Sequence, residues 1–80
     1  MNFREFLLKK HLLIKGEREL KEISAGQYVN RLKSMRKNKI YNEEKYIDSY
    51  LEQKIQNRYK DWKTYLKTVS HYLVYKDYIK

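Results

Sequence analysis

Arg31, Lys33, Arg36, Lys37 and Lys39 fall within nine residues, with no acid among them, in the stretch SAGQYVNRLKSMRKNKIY between Ser24 and Tyr41. Cations at that density suit one kind of chemistry. They displace the counterions condensed on a polyanion, and nucleic-acid phosphate is the commonest such partner. A second set recurs downstream: Lys60, Lys63 and Lys67, with Thr64 and His71. On a helix these five gather on one side. An acidic protein surface or an anionic membrane would answer the same field. The plain alternative for either set is a solvated face that does nothing but keep a small domain in solution.

Catalysis has no comparable foundation. His11 and His71 are the only histidines, and neither has a metal-ligating residue three or four positions on. A lone helical histidine is a packing or surface residue far more often than a ligand. Asp48 and Glu52 stand one turn apart, which fits a solvated helix face better than a magnesium site. No glycine-rich loop is present to cradle phosphate. The expectation is a protein without enzymatic activity, cofactor, metal or small-molecule substrate. The absence of cysteine removes disulfides and thiolate metal sites and makes the cytoplasm the natural compartment. The opening MNFREFLLKKHLLIKGE is broken by Glu5, Lys9 and Lys10, so it reads as neither a signal peptide nor a membrane span.

These groups must be positioned by a small scaffold. Eighty residues support one domain with a modest core, and helices joined by short loops bury it most economically. Proline is absent and glycine occurs only at Gly16 and Gly26, too few turn residues for an all-β fold. The net charge of +9 is uneven: residues 1–40 carry 11 basic and 4 acidic side chains, residues 41–80 carry 8 and 6.

Four helices follow from the periodicity, as a compact all-α bundle. The first spans Asn2 to Lys15, with Asn2 as cap, Phe3, Phe6, Leu7, Leu13 and Ile14 inward, Lys9 and Lys10 off that face, and Gly16 as the stop. GERELKEI is ambiguous, with Leu20 and Ile23 available to pin it. Ser24 and Gln27 have capping-box spacing, which starts the second helix at Ser24. Its inner stripe is Tyr28, Val29, Leu32 and Met35, leaving Arg31, Lys33, Arg36 and Lys37 outside.

The third helix begins at Asn42. Tyr41 and Tyr46 form a hydrophobic staple, Glu43 and Glu44 sit in the first turn, and Tyr46, Ile47, Tyr50, Leu51 and Ile55 face inward. The fourth runs from about Arg58 to Ile79 on a stripe of Trp62, Leu66, Val69 and Leu73, widened by Tyr65 and Tyr72. No glycine or proline separates these two helices, so a single long rod is an alternative. The expected core is Phe6, Leu7, Val29, Leu32, Ile47, Leu51, Trp62, Leu66, Val69 and Leu73. Tyr59, Tyr75 and Tyr78 fit the stripes less well, and suit either base stacking or a protein interface.

The order of these motifs resembles the N-terminal SAM-like, or core-binding, domain of tyrosine recombinases and phage integrases. The matching segments are EISAGQYVNRLKSM with its Tyr and Arg-Leu, KYIDSYLEQKI with Tyr50-Leu51, and DWKTYLKTVSHYLVYKDYI with the run VSHYLVY. The resemblance covers nearly the whole chain and implies a four-helix bundle that grips DNA through its second and fourth helices. It thereby implies DNA contacts at Arg31, Lys33, Arg36, Lys37, Lys60, Lys63, Thr64, Lys67 and His71. The catalytic Arg, His and Tyr of those enzymes belong to a second domain that has no counterpart among these residues, so the resemblance implies binding and not cleavage. A competing role is an accessory subunit, possible in a mobile genetic element, that docks on a larger replication or recombination enzyme. Tyr75, Tyr78 and Ile79, at the end of the last helix, would then be the anchors. A basic domain with no nucleic-acid role is the third reading.

Overall fold

The computed structural model describes residues 1–80 and contains four helices and no strand: α1 (Phe3–Leu13), α2 (Glu22–Lys37), α3 (Ser49–Arg58) and α4 (Trp62–Tyr78). α4 is the hub. It packs against the other three helices, α2 also packs on α1, and α3 touches α4 alone. No helix is long and apolar enough to cross a membrane.

α1 starts where Asn2 Oδ1 accepts the Glu5 amide at 2.8 Å, as its sequence position predicts. It ends at Leu13, two residues early, because Ile14 turns extended ahead of Gly16 at φ +90°. Lys10 is not on the outer face. It is buried, its Nζ 3.4 Å from Glu17 and 3.3 Å from the Arg18 carbonyl, and so ties the α1–α2 connection to α1. That burial is tolerable because the charge is both paired and hydrogen-bonded.

α2 begins at Glu22, not Ser24. The capping box does not form, since Ser24 already lies inside the helix and no side chain caps Lys21. Ala25, Tyr28, Leu32 and Met35 are buried, while Ile23 is exposed and Leu20 packs at the edge of the core.

The largest departure is the segment after α2. Helix three starts at Ser49, with Asp48 Oδ1 accepting the Leu51 amide at 2.8 Å, so Asn42 to Asp48 is loop. Tyr41 causes much of this. Its ring is buried edge-on to Tyr72 at 5.9 Å, and its hydroxyl donates to the Glu44 carbonyl at 2.8 Å. Lys39 and Glu43 adopt positive φ to allow it. Each such non-glycine residue costs on the order of 1 kcal/mol, a sum that a buried aromatic ring offsets. With the staple gone, Tyr46 and Tyr50 are 71% and 70% exposed instead of inward.

α3 and α4 are separate helices. Tyr59 is extended and Lys60–Asp61 turn the chain. α4 is also rotated by roughly a quarter turn from the expected stripe, at 100° per residue. Thr68, Val69, Tyr72 and Tyr75 face the core, while Trp62, Leu66 and Leu73 pack half-buried at its margin. Thr68 is satisfied by donating its hydroxyl to the Thr64 carbonyl at 2.9 Å. Of the expected core, Phe6, Leu7, Leu32, Leu51 and Val69 are buried, and Val29 and Ile47 join the margin.

Candidate nucleic-acid interface

The outer face of α2 presents Lys33 and Lys37, one turn apart and exposed. The outer face of α4 presents Lys63 and Lys67 in the same relation, and Lys60 stands exposed in the preceding turn. None of these five enters an ion pair, and neither does Arg31. Helical spacing explains the pairs: residues four apart share a face, with Cβ atoms about 5–6 Å apart.

α2 and α4 pack directly against each other. Tyr28 lies edge-on to His71 with ring centres 4.8 Å apart, and further along Arg31 approaches Tyr65. Arg31 therefore occupies the seam. Its guanidinium is 5.6 Å from the Tyr28 ring centre and 6.0 Å from that of Tyr65. Both distances suit a cation–π contact, which engages the guanidinium plane and leaves its N–H edge available.

Three expected members behave differently. Arg36 is committed within the molecule. Its Nη2 donates to Glu43 Oε1 and to the Tyr72 hydroxyl, both at 2.6 Å, and its guanidinium lies 4.8 Å from the Tyr72 ring centre. This latch joins α2, the following loop and α4. Burial raises the pKa of Tyr72, opposed by Arg36 and reinforced by Glu43. Thr64 moves to the half-buried flank of α4 as a consequence of the helix rotation.

His71 moves with it, into the helix interface. Its Nε2 is buried without a hydrogen-bond partner, and its pKa is lowered by burial first, then by Lys10 and Lys67, with Glu17 opposing. It is thus a neutral packing residue at neutral pH and not part of the cationic face. A stability signature follows. Because the folded state lowers the pKa from its ordinary 6.5, the unfolded chain binds the proton more readily. Stability from this site is fully present above about pH 6.5 and is lost as pH falls through the folded value. The urea midpoint should therefore drop between about pH 7.5 and about pH 5.5, and His71→Gln should flatten that dependence. An equal drop in the variant would assign it to other groups.

The partner-docking set also changes. Tyr75 is buried between Phe3, Phe6 and Tyr72, with ring-centre distances of 5.6, 5.5 and 5.8 Å, and its hydroxyl donates to the Met1 carbonyl at 2.9 Å. It cannot anchor a partner without leaving the core. Tyr78 and Ile79 remain partly exposed, with Val74 beside them.

One feature of the seam was not foreseen. Tyr59 and Tyr65 stack with ring centres 3.7 Å apart and planes 9° from parallel. Arg58 lies 5.6 Å from the Tyr59 ring centre, and the Ser34 and Tyr59 hydroxyls are hydrogen-bonded at 3.0 Å. The pairing depends on the chain break at Tyr59, which periodicity alone does not locate.

On another side of α4 lies a groove of about 470 Å³, lined by residues that include Tyr41, Glu43, Glu44, Lys76, Asp77 and Lys80. Its acids and bases alternate, so it carries no single-sign field. No group of three His, Cys, Asp or Glu side chains converges as a metal site would require. No family model, curated protein or solved structure matches the chain significantly.

Proposed function

We propose that this chain is a non-enzymatic DNA-binding domain of the cytoplasm, gripping the phosphate backbone with the outer faces of α2 and α4. The observation that carries the reading is the grouping of six of the chain's many unpaired cations on or beside two contacting helices: Lys33 and Lys37 on α2, Lys60, Lys63 and Lys67 at and along α4, and Arg31 in the seam. Ion-paired lysines elsewhere, such as Lys10 and Lys54, have already found an anion. The unpaired ones named here are carried on helices, except Lys60 in the turn before α4. Phosphate contacts position a protein on nucleic acid without reading bases. The resemblance to the core-binding domain of tyrosine recombinases supports the same two helices. It also suggests a setting in a mobile genetic element.

Salt dependence tests the reading. Neutralising about five phosphates should make log affinity fall against log salt with a slope of roughly −3.5 to −4.5, the shallower value for single strands. A gel-shift titration at several salt concentrations measures it. No binding at low salt, or a slope near zero, would remove the proposal.

A second reading has one observation in its favour. Val74, Tyr78 and Ile79 are 40%, 46% and 44% exposed at the end of α4. They would serve an accessory subunit docked on a larger replication or recombination enzyme. Both roles are compatible on one molecule, since these residues lie apart from Lys63 and Lys67 along the helix.

A further inference from the structure

The Tyr59–Tyr65 stack is an unusual arrangement for two rings left to themselves. Ring quadrupoles disfavour close face-to-face contact and prefer offset or edge-on pairs with centres about 4.5–7 Å apart. Here the centres are 3.7 Å apart and nearly parallel. Cations on both sides compensate, Arg58 over Tyr59 at 5.6 Å and Arg31 by Tyr65 at 6.0 Å. The hydrogen bond between the Ser34 and Tyr59 hydroxyls holds the ring plane from α2.

The surroundings are equally specific. Both rings are half-buried at the margin of the core, while Arg58 and Lys60 on either side of Tyr59 in the chain are exposed. Arg31, Arg58 and Lys60 enter no ion pair. The site thus combines a fixed aromatic face with three unneutralised cations around it. The Arg58 guanidinium lies over the Tyr59 ring, exposed and paired with no carboxylate.

We propose that this platform receives one unpaired base of a single-stranded nucleic acid. The base stacks on the outer face of Tyr59 in place of the Arg58 guanidinium, which turns to an adjacent phosphate alongside Lys60, while Arg31 serves the next. Duplex DNA cannot use the platform, because both faces of each base are already stacked within the helix. The inference rests on the nucleic-acid reading above and adds strand type to it. Binding of a base to an aromatic ring is tolerant of sequence, since every base has a π face.

The decisive comparison holds the phosphate charge constant and removes the bases. Fluorescence anisotropy at low salt measures the full chain on a short oligothymidylate, on a strand of equal length made only of abasic sites, and on a duplex of that length. The base-bearing strand should bind about tenfold tighter than the abasic one, within the range of a single base–aromatic stack. Tyr59→Leu should erase that ratio while leaving abasic binding unchanged, and Tyr59→Phe should keep it. Equal affinity of the wild-type chain for base-bearing and abasic strands overturns the platform but leaves the backbone reading standing. A duplex whose affinity falls with Tyr59→Leu by the same factor as the oligothymidylate's also overturns it. Failure to bind any of the three overturns the backbone reading instead. The wild-type ratio decides the matter even where Tyr59→Leu does not fold.

Discussion

Reversing Lys63 and Lys67 to glutamate should weaken DNA binding by at least roughly 25- to 60-fold. The estimate follows from counterion release. At about 0.1 M salt each phosphate contact contributes roughly fivefold on single strands and eightfold on duplex, and two contacts are lost. Repulsion from the new carboxylates adds to this. The loss should be the same on every sequence, because phosphate contacts carry no base information. It should also lower the salt slope in proportion to the lost contacts.

Charge alone must be separated from place. Lys9→Glu/Lys15→Glu changes the net charge by the same amount at exposed positions on α1 and just past its end. That control, on neither α2 nor α4, should bind far better than Lys63→Glu/Lys67→Glu. Equal losses in the two variants would mean that the net charge of +9 acts as a diffuse field and no face is special. The folded state should not notice either change, since exposed charges usually move stability by under ~0.5 kcal/mol. A coincident denaturation midpoint is the control for that.

The opposite holds for Arg36, one of the cations that looked equivalent in the sequence. Its hydrogen bonds to Glu43 and Tyr72 tie its charge to partners within the chain, although the side chain stays 40% exposed. Nothing local distinguishes Arg36 from Lys37. The difference comes from the loop that brings Glu43 back across α2, and that loop exists because Tyr41 is buried and not helical.

The same logic governs what else was legible. Helical periodicity suffices for α1, α2 and α4, and the caps at Asn2 and the stop near Gly16 follow from local chemistry. The start of α3 does not, because two capping signals compete. Tyr41 with Tyr46 imitates a staple for a helix capped at Asn42, and Asp48, six residues further on, is the acceptor that caps the Leu51 amide. Tertiary burial of Tyr41 decides for Asp48.

α4 poses a similar ambiguity in its rotation. Trp62, Leu66, Val69 and Leu73 form one apolar stripe, and Thr68, Tyr72 and Tyr75 with Val69 form another a quarter turn away. Hydropathy favours the first. The partners favour the second, since Phe3 and Phe6 of α1 offer rings that tyrosines can meet edge-on or tilted. Such aromatic pairs add about 0.5–1.5 kcal/mol beyond the area they bury. A stripe chosen by its partners cannot be read from the helix that carries it. His71 and Thr64 left the cationic face for that reason.

Tyr75 is where the rotation has its largest consequence for stability. As an exposed anchor, Tyr75→Ala would be silent in the isolated chain. As a buried ring among Phe3, Phe6 and Tyr72, it should cost about 3–5 kcal/mol, the range for truncating a buried aromatic residue. A domain of this length has a total stability of roughly 4–12 kcal/mol, so at the low end of that range the variant should be largely unfolded at room temperature and elsewhere folded with a markedly lower midpoint. Tyr75→Phe keeps the ring and removes only the bond to the Met1 carbonyl, for a loss of about 1 kcal/mol. Trp62→Ala, at the half-buried margin, should fall below the buried-aromatic range, although helical spacing put that residue in the expected core. Tyr78→Ala should lose less again, since its ring keeps only a tilted contact with Phe6 and stands 46% exposed. Urea denaturation followed by circular dichroism ranks the four. An unchanged midpoint for Tyr75→Ala, or a greater loss for Trp62→Ala than for Tyr75→Ala, would put α4 back on its other stripe. It would also return His71 and Thr64 to the solvent side with Lys63 and Lys67.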